Sequence, residues 1–359
     1  MASSHAGRFA QLRQLLAEKS CDSMVTMHMF NIRYLCGFTG SAGVLVVTPD
    51  DATLYVDGRY PEQAARETRV AKPVEAPWPV LPYAINQVKS KLGRVGFEAQ
   101  HVTFAEYQEL AALLPDGKLL GLQGLVETLR AVKDEDELAA IRKACDLCDK
   151  VFDSFCGWIK PGMVEQQVEA RLTYEQCMLG SLRNASGVLV VSSGPRTALP
   201  HGLATDKVIG HNEPVMIDLG GVVDGYCSDL TRTVYLGKAP DEFVKLYQVV
   251  FDAQQRALDC IKPGMTGIEA DALARDVIEA AGYGDRFRHS LGHSVGLDVH
   301  ERPSLSSRDS TVLRENMVFT VEPGVYLPGW GGVRIEEQVR VTADGLEILS
   351  KSNRRLVEI

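Results

Sequence analysis

The 359-residue chain has no apolar run near 18 residues, so nothing in it is expected to span a membrane. Its opening stretch, MASSHAGRFAQ, lacks a charged segment leading into an apolar one, which removes a secretory signal and leaves the cytoplasm as the expected location. A basic excess is missing too. With 38 Lys+Arg against 47 Asp+Glu the net charge is −9, and no nucleic-acid-binding module is visible, so nucleic acid is not an expected partner. Cysteines at 21, 36, 145, 148, 156, 177, 227 and 260 are too dispersed for a disulfide framework and read as reduced thiols. Cys145 and Cys148 form one CxxC with no second pair, inside ELAAIRKACDLCDKVF, where a packed helix face accounts for them. GFTGSAG is glycine-rich, but the elements around it come in the wrong order for a dinucleotide-binding loop.

What is present suffices for two domains, each with its own core. Residues 6–122 alternate between helical and strand patterns: helix RFAQLRQLLAEK, strands DSMVTM, AGVLVVT and ATLYVDG, helices RYPEQAARE and YAINQVKSKL, strand RVGFEA, helix FAEYQELAALL. That order predicts an α/β domain over residues 1–123, with a second domain over 124–359. Within the second domain Asp134 and Glu137 have capping-box spacing ahead of a long amphipathic helix. IKPGM at 159–163 returns as IKPGMT at 261–266, each time after one helical stretch and before another, and a strand-rich segment closes each half. A duplicated domain whose two halves face each other makes a cleft at their seam, where sites are favoured.

The segment IDLGGVVDGYCSDLTRT, residues 217–233, reads as a hairpin turning at Asp224-Gly225. In that register Asp218 faces Thr231 and Asp229 faces Gly220, so the two aspartates are diagonal neighbours on one face. Two bare carboxylates at that distance repel, and one takes up a proton unless a divalent cation lies between them. The hairpin alone leaves a metal site and a solvated turn equally open. The second half adds His289, His293 and His300 within HSLGHSVGLDVHE, Glu322 at the end of an apolar strand, and Glu336 in GGVRIEEQVRV. Alternation there puts Arg334 and Glu336 on one face and Val333, Ile335 and Glu337 on the other.

Together DLGGVVDGYCSDLTRT, HSVGLDVHE, TVEPGVY and GVRIEE resemble the pita-bread dinuclear metallopeptidases: Xaa-Pro aminopeptidase (aminopeptidase P), Xaa-Pro dipeptidase (prolidase) and methionine aminopeptidase. GFTGSAG and DGRYPEQAA look like the amino-terminal domain of the Xaa-Pro branch. The resemblance implies an α/β (α+β) chain: a creatinase-like amino-terminal domain and a carboxy-terminal pita-bread domain with an internal pseudo-two-fold repeat. It implies five metal ligands, Asp218, Asp229, His293, Glu322 and Glu336, with Asp218 bidentate to one ion and Asp229 and Glu336 bridging two. Mostly oxygen donors with one imidazole suit Mn²⁺, with Co²⁺ or Zn²⁺ as other occupants. Cys227 is expected beside the ligands without being one.

The implied reaction is hydrolysis of the bond between an N-terminal residue and proline in a peptide. The ion pair would activate water, Glu322 would shuttle its proton, and His201 and His300 would stabilise substrate or intermediate. His289 and Arg334 match substrate-contacting positions, Arg334 orienting Glu336 or a substrate carboxylate. A homodimer is expected from the same resemblance. A strict Xaa-Pro dipeptidase, an aminopeptidase acting on longer peptides, and a non-catalytic peptide-binding module on the same scaffold are the alternatives.

Overall fold

In the computed structural model, which describes residues 4–187 and 189–359, the chain divides into two compact units, the first ending at Arg130 and the second running from Ala131 to Ile359. The division falls one short helix later than expected. The helix after residue 124 (Leu125–Arg130) buries Leu125, Val126 and Arg130 and packs against helices of the first unit.

That unit runs α1 (His5–Glu18), β1 (Ser23–Thr26), α2 (Met29–Cys36), β2 (Val44–Val47), β3 (Ala52–Val56), α3 (Pro61–Glu67), β4 (Lys72–Glu75), α4 (Val80–Val88), β5 (Val95–Glu98), α5 (Phe104–Leu113), β6 (Leu119–Leu122) and α6 (Leu125–Arg130). Its six strands form one mixed sheet ordered β4-β3-β2-β1-β5-β6, with β1–β2 and β2–β3 antiparallel and the remaining pairs parallel. The fully buried VLVV of β2 and the apolar face of α4 meet in its core. Helix α2 is hidden from the sequence pattern, as are the short strands β4 and β6. It is eight residues long and carries a buried asparagine, Asn31, and the chain leaves it through Gly37 at φ 84°.

The second unit opens with α7 (Glu135–Trp158), started by the expected capping box: Glu137 N–H donates to Asp134 Oδ1 at 3.0 Å and Asp134 N–H to Glu137 Oε2 at 2.9 Å. Cys145 and Cys148 lie on the buried face of α7 as free thiols, and burial pushes the Cys148 thiol up to about 12. The first half continues with α8 (Glu165–Met178), β7 (Val190–Ser193), β8 (Glu213–Leu219), the short pair β9 (Val222–Val223) and β10 (Tyr226–Cys227), and β11 (Leu230–Leu236). The second half repeats the order with α9 (Asp241–Cys260), α10 (Gly267–Ala280), β12 (Gly292–Ser294), β13 (Glu301–Leu305), β14 (Val318–Val321), β15 (Gly324–Leu327), β16 (Gly331–Arg334), β17 (Glu337–Val341) and β18 (Leu346–Ile348).

The duplication is visible atom by atom at the two Lys-Pro-Gly turns. Ile159 ends α7 and Ile261 ends α9 in nearly the same conformation, ψ 136° and 132°. Gly162 and Gly264 follow at φ 91° and 92°, a region only glycine enters freely. Their N–H groups donate to Ile209 O at 2.8 Å and Leu313 O at 2.9 Å, so each turn is tied to a matching strap in its own half. A three-stranded sheet, β11-β8-β7, belongs to the first half and a five-stranded one, β13-β12-β14-β17-β18, to the second.

Candidate metal centre

The hairpin sets the first two ligand positions. Asp224 and Gly225 both have positive φ, 50° and 82°, as a two-residue turn matching strand twist requires, and the expected register follows: Tyr226 opposite Val223, Thr231 opposite Asp218. Regular pairing pauses between Leu219 and Leu230, and in that gap Asp229 N–H donates to Gln338 Oε1 at 3.0 Å. From the second half, His293 stands on β12, Glu322 directly after β14, and Glu336 between β16 and β17. Glu336 is drawn to β11 through its own N–H, which donates to Thr231 O at 3.1 Å.

His293 Nε2 lies 3.3 Å from Glu322 Oε1 and 3.6 Å from Asp229 Oδ2, and one donor atom each from Asp229, His293 and Glu336 fall within 4.8 Å of one another. His293 Nδ1 faces the Ser294 carbonyl at 3.2 Å, a pure acceptor, so Nδ1 carries the proton. Nε2 therefore turns a lone pair toward two carboxylate oxygens. An imidazole whose far nitrogen donates to a backbone carbonyl is the arrangement metal-binding histidines adopt, and a cation is what such an inward-facing set of lone pairs fits.

Electrostatics point the same way. Burial, reinforced by Glu336, Asp218 and Glu322, pushes Asp229 well above the usual carboxylate range, and burial with Glu322 and Asp218 does the same to Glu336. Glu322 is pushed up to about 7 by burial, with Arg334 pulling down and Asp218 pushing up. His293 is pulled down to about 3 by burial, with His300 adding to it. Four crowded carboxylates and one neutral imidazole, with no thiol among them, form an oxygen-rich donor set suited to divalent ions.

Two threonine hydroxyls connect the carboxylates to their surroundings. Arg334 Nε donates to Thr231 Oγ1 at 3.0 Å, and Thr231 donates onward to Glu336 Oε2 at 2.7 Å. His293 N–H donates to Thr320 Oγ1 at 3.0 Å, and Thr320 donates to Glu322 Oε1 at 3.0 Å.

Arg334 has a further partner beside the expected one. Its Nη2 pairs with Asp218 Oδ2 at 2.7 Å, and it reaches Glu336 only through Thr231. Nη1 donates to Pro200 O at 2.9 Å and to Tyr326 Oη at 3.0 Å, and the side chain is 3% exposed. These internal bonds leave it holding the site together and not offered to a substrate carboxylate. Alternation along one strand gave the face correctly, but not how far a long side chain reaches across to β8.

His289 is likewise engaged inside the protein. Its Nδ1 donates to Ser290 O at 2.8 Å, so Nε2 accepts from Tyr326 Oη at 2.9 Å, and burial with Arg334 nearby pulls the ring down to about 4. His201 and His300 differ: both are exposed. The His300 ring centroid lies 4.4 Å from that of His293, and the residue before His201, Pro200, accepts from Arg334 through its carbonyl. Cys227 is buried among Leu138, Ile141, Val222 and Val295, where burial pushes its thiol up to about 12.

Residues 139–343 match the model of metallopeptidase family M24, and residues 8–132 that of the creatinase/prolidase N-terminal domain. The chain belongs to metallopeptidase family M24. It is therefore a metallopeptidase with a creatinase-type amino-terminal domain ahead of a pita-bread domain, in a family that implies divalent metal ions. It is 35% identical over 375 residues to the Xaa-Pro dipeptidase of Pyrococcus furiosus, covering 98% of this chain and 99% of the relative. Its fold matches the Xaa-Pro dipeptidase from Bacillus anthracis with a TM-score of 0.96 at 37% identity, over 99% and 100% of the two chains. The X-Pro aminopeptidase from Thermotoga maritima follows at 0.91 and 36%, over 98% and 99%.

Sequence reading passed over Thr231, Thr320, Tyr326 and Glu165. Thr231 was within reach, since the hairpin register already set it opposite Asp218. The other three carry no local signal.

Proposed function

We propose that this M24 metallopeptidase hydrolyses the bond between an N-terminal residue and proline, with Asp218, Asp229, His293, Glu322 and Glu336 holding two divalent cations. The observation that carries the ligand set is His293 Nε2 facing Glu322 and Asp229 at 3.3 and 3.6 Å while Nδ1 faces the Ser294 carbonyl. The substrate comes from the relatives of matched length, named Xaa-Pro dipeptidase and X-Pro aminopeptidase.

When bound, the ions supply a water of lowered pKa and polarise the scissile carbonyl. The chain's own residues do the rest. Glu322, steadied by the Thr320 hydroxyl, takes the proton of the attacking water and delivers it to the departing nitrogen. Proline makes that delivery necessary, because the bond is a tertiary amide whose nitrogen carries no hydrogen of its own. His300, exposed beside His293, and His201, also exposed, donate to the developing oxyanion and to the bound peptide. Arg334 balances Asp218 and, through Thr231, fixes the direction of Glu336.

The oxygen-rich donors make Mn²⁺ the working ion of this reading. A homodimer and a cytoplasmic location complete it. Protein stripped of metal and reloaded with Mn²⁺ is assayed on Ala-Pro, Ala-Pro-Ala and Ala-Ala. Proline-dependent cleavage is the expected result, the ratio between the first two peptides separates dipeptidase from aminopeptidase action, and inertness toward both overturns the reading.

A further inference from the structure

The amino-terminal unit gathers a second set of ligating side chains. His28 caps α2, His101 lies in the turn after β5, and Glu127 stands on α6; one donor atom from each falls within 4.8 Å of the others. His101 Nε2 is 3.0 Å from Glu127 Oε1, and His28 Nδ1 is 4.0 Å from the same oxygen. The two imidazoles are stacked, centroids 3.7 Å apart and planes within 2°. His28 Nδ1 is buried without a hydrogen-bond partner within 3.5 Å, and a bound ion or water is what would answer such an atom.

Glu127 is held from behind. Asn31 Nδ2 donates to Glu127 Oε1 at 2.8 Å and also to Glu98, while Asn31 Oδ1 accepts from Arg130 Nη1 at 2.7 Å. Metal-binding carboxylates carry outer partners of this kind. Solvent reaches the cluster, with the His101, His28 and Glu127 side chains 31%, 21% and 17% exposed.

We propose that His28, His101 and Glu127 form a further divalent-cation site in the amino-terminal unit, taking Zn²⁺ with water in the remaining position. Two nitrogens and one carboxylate oxygen are a zinc donor set, whereas Mg²⁺ and Ca²⁺ require oxygen around them. Zinc bonds of about 2.0–2.1 Å at tetrahedral angles put neighbouring donors about 3.3 Å apart. The observed 3.0 and 4.0 Å bracket that value. Binding requires the rings to tilt out of their stack so that both lone pairs point at the ion. The three ligands come from segments far apart in sequence, so the ion clasps the start of α2, the turn after β5 and α6 to one another.

The full chain, stripped with a chelator, is incubated with micromolar Zn²⁺, freed of excess, and its metal counted by mass spectrometry. His101→Ala and Glu127→Gln are each expected to retain one zinc ion fewer per chain than the parent and to lose part of the zinc-dependent rise in Tm. An unchanged zinc count in both overturns the site, as does occupancy that needs millimolar ion. Should one variant lose the parental circular dichroism spectrum, the other carries the measurement. A readout without mutation is acylation by diethyl pyrocarbonate. Zinc is expected to protect His28 and His101 at least fivefold in peptide maps, and equal labelling with and without zinc counts against the site.

Discussion

An imidazole lone pair 3.3 Å from one carboxylate oxygen and 3.6 Å from another is repelled by both once they are ionised, unless a cation lies among them. Single substitutions test that relation. Asp229→Asn keeps the shape of the side chain but removes its charge and one ligating oxygen, so the variant is expected to lose metal and peptidase activity together. A full metal complement in it, counted by mass spectrometry, refutes the ligand role of Asp229. His300 should separate from this pattern because it is exposed and lies beside His293 without pairing to a carboxylate. His300→Ala is expected to bind metal like the parent and to lose about 10²–10³ in kcat, the usual size for one lost oxyanion donor. A parental rate in the reloaded enzyme returns His300 to a packing role.

At the scale of elements, the loop that carries His201 is fastened at both ends by one buried side chain. Glu165, first residue of α8 and 0% exposed, accepts from Ser193 N–H at 2.8 Å and from Thr205 N–H at 3.1 Å, besides both their hydroxyls and Arg196 Nε. Glu165→Gln turns one accepting oxygen into a donor and leaves buried N–H groups unanswered, at about 1–3 kcal/mol. The expected outcome is a lower Tm and a reduced kcat/KM with the metal count unchanged; an unaltered kcat/KM would separate the loop from catalysis. None of this fastening is visible in the sequence, because Glu165 looks like any first-turn acid. What could be read there is local chemistry: the Asp134–Glu137 box, the Asp-Gly turn with its register, and the repeated Lys-Pro-Gly stops each depend on neighbours in the chain. Helix α2 escaped because eight residues with a buried polar side chain leave no clear period. The pairing of Arg334 with Asp218, in addition to its link to Glu336 through Thr231, was not legible because Asp218 lies 116 residues away, beyond anything strand alternation can report.

The whole molecule should show the crowding of its carboxylates as a dependence of stability on pH when metal is removed. Asp229, Glu322 and Glu336 are raised in the folded chain, so each contributes stability that is complete below its unfolded value of about 4 and is lost as pH rises through the folded one, about 7 for Glu322. His289 and His293, depressed to about 4 and about 3, act in the opposite sense. Their cost at acid pH is half relieved at about pH 6.5 and gone by about pH 7.5, as unfolded histidine loses its proton. Above that point only the carboxylates still change. The Tm of chelator-treated protein is therefore expected to fall above about pH 7.5, and Mn²⁺ to remove the fall. A flat profile without metal contradicts the crowding.

The turn at Asp224-Gly225 is small, with only Asp224 facing solvent, yet it helps set the spacing of the chemistry behind it. A residue added at that bend would have to be absorbed in the unpaired stretch that carries Asp229 or slip the pairing that sets Asp218 opposite Thr231, disturbing the ligands while leaving every one of them in the sequence intact. Two backbone angles at the tip thus govern whether a complete set of ligands is also a working one.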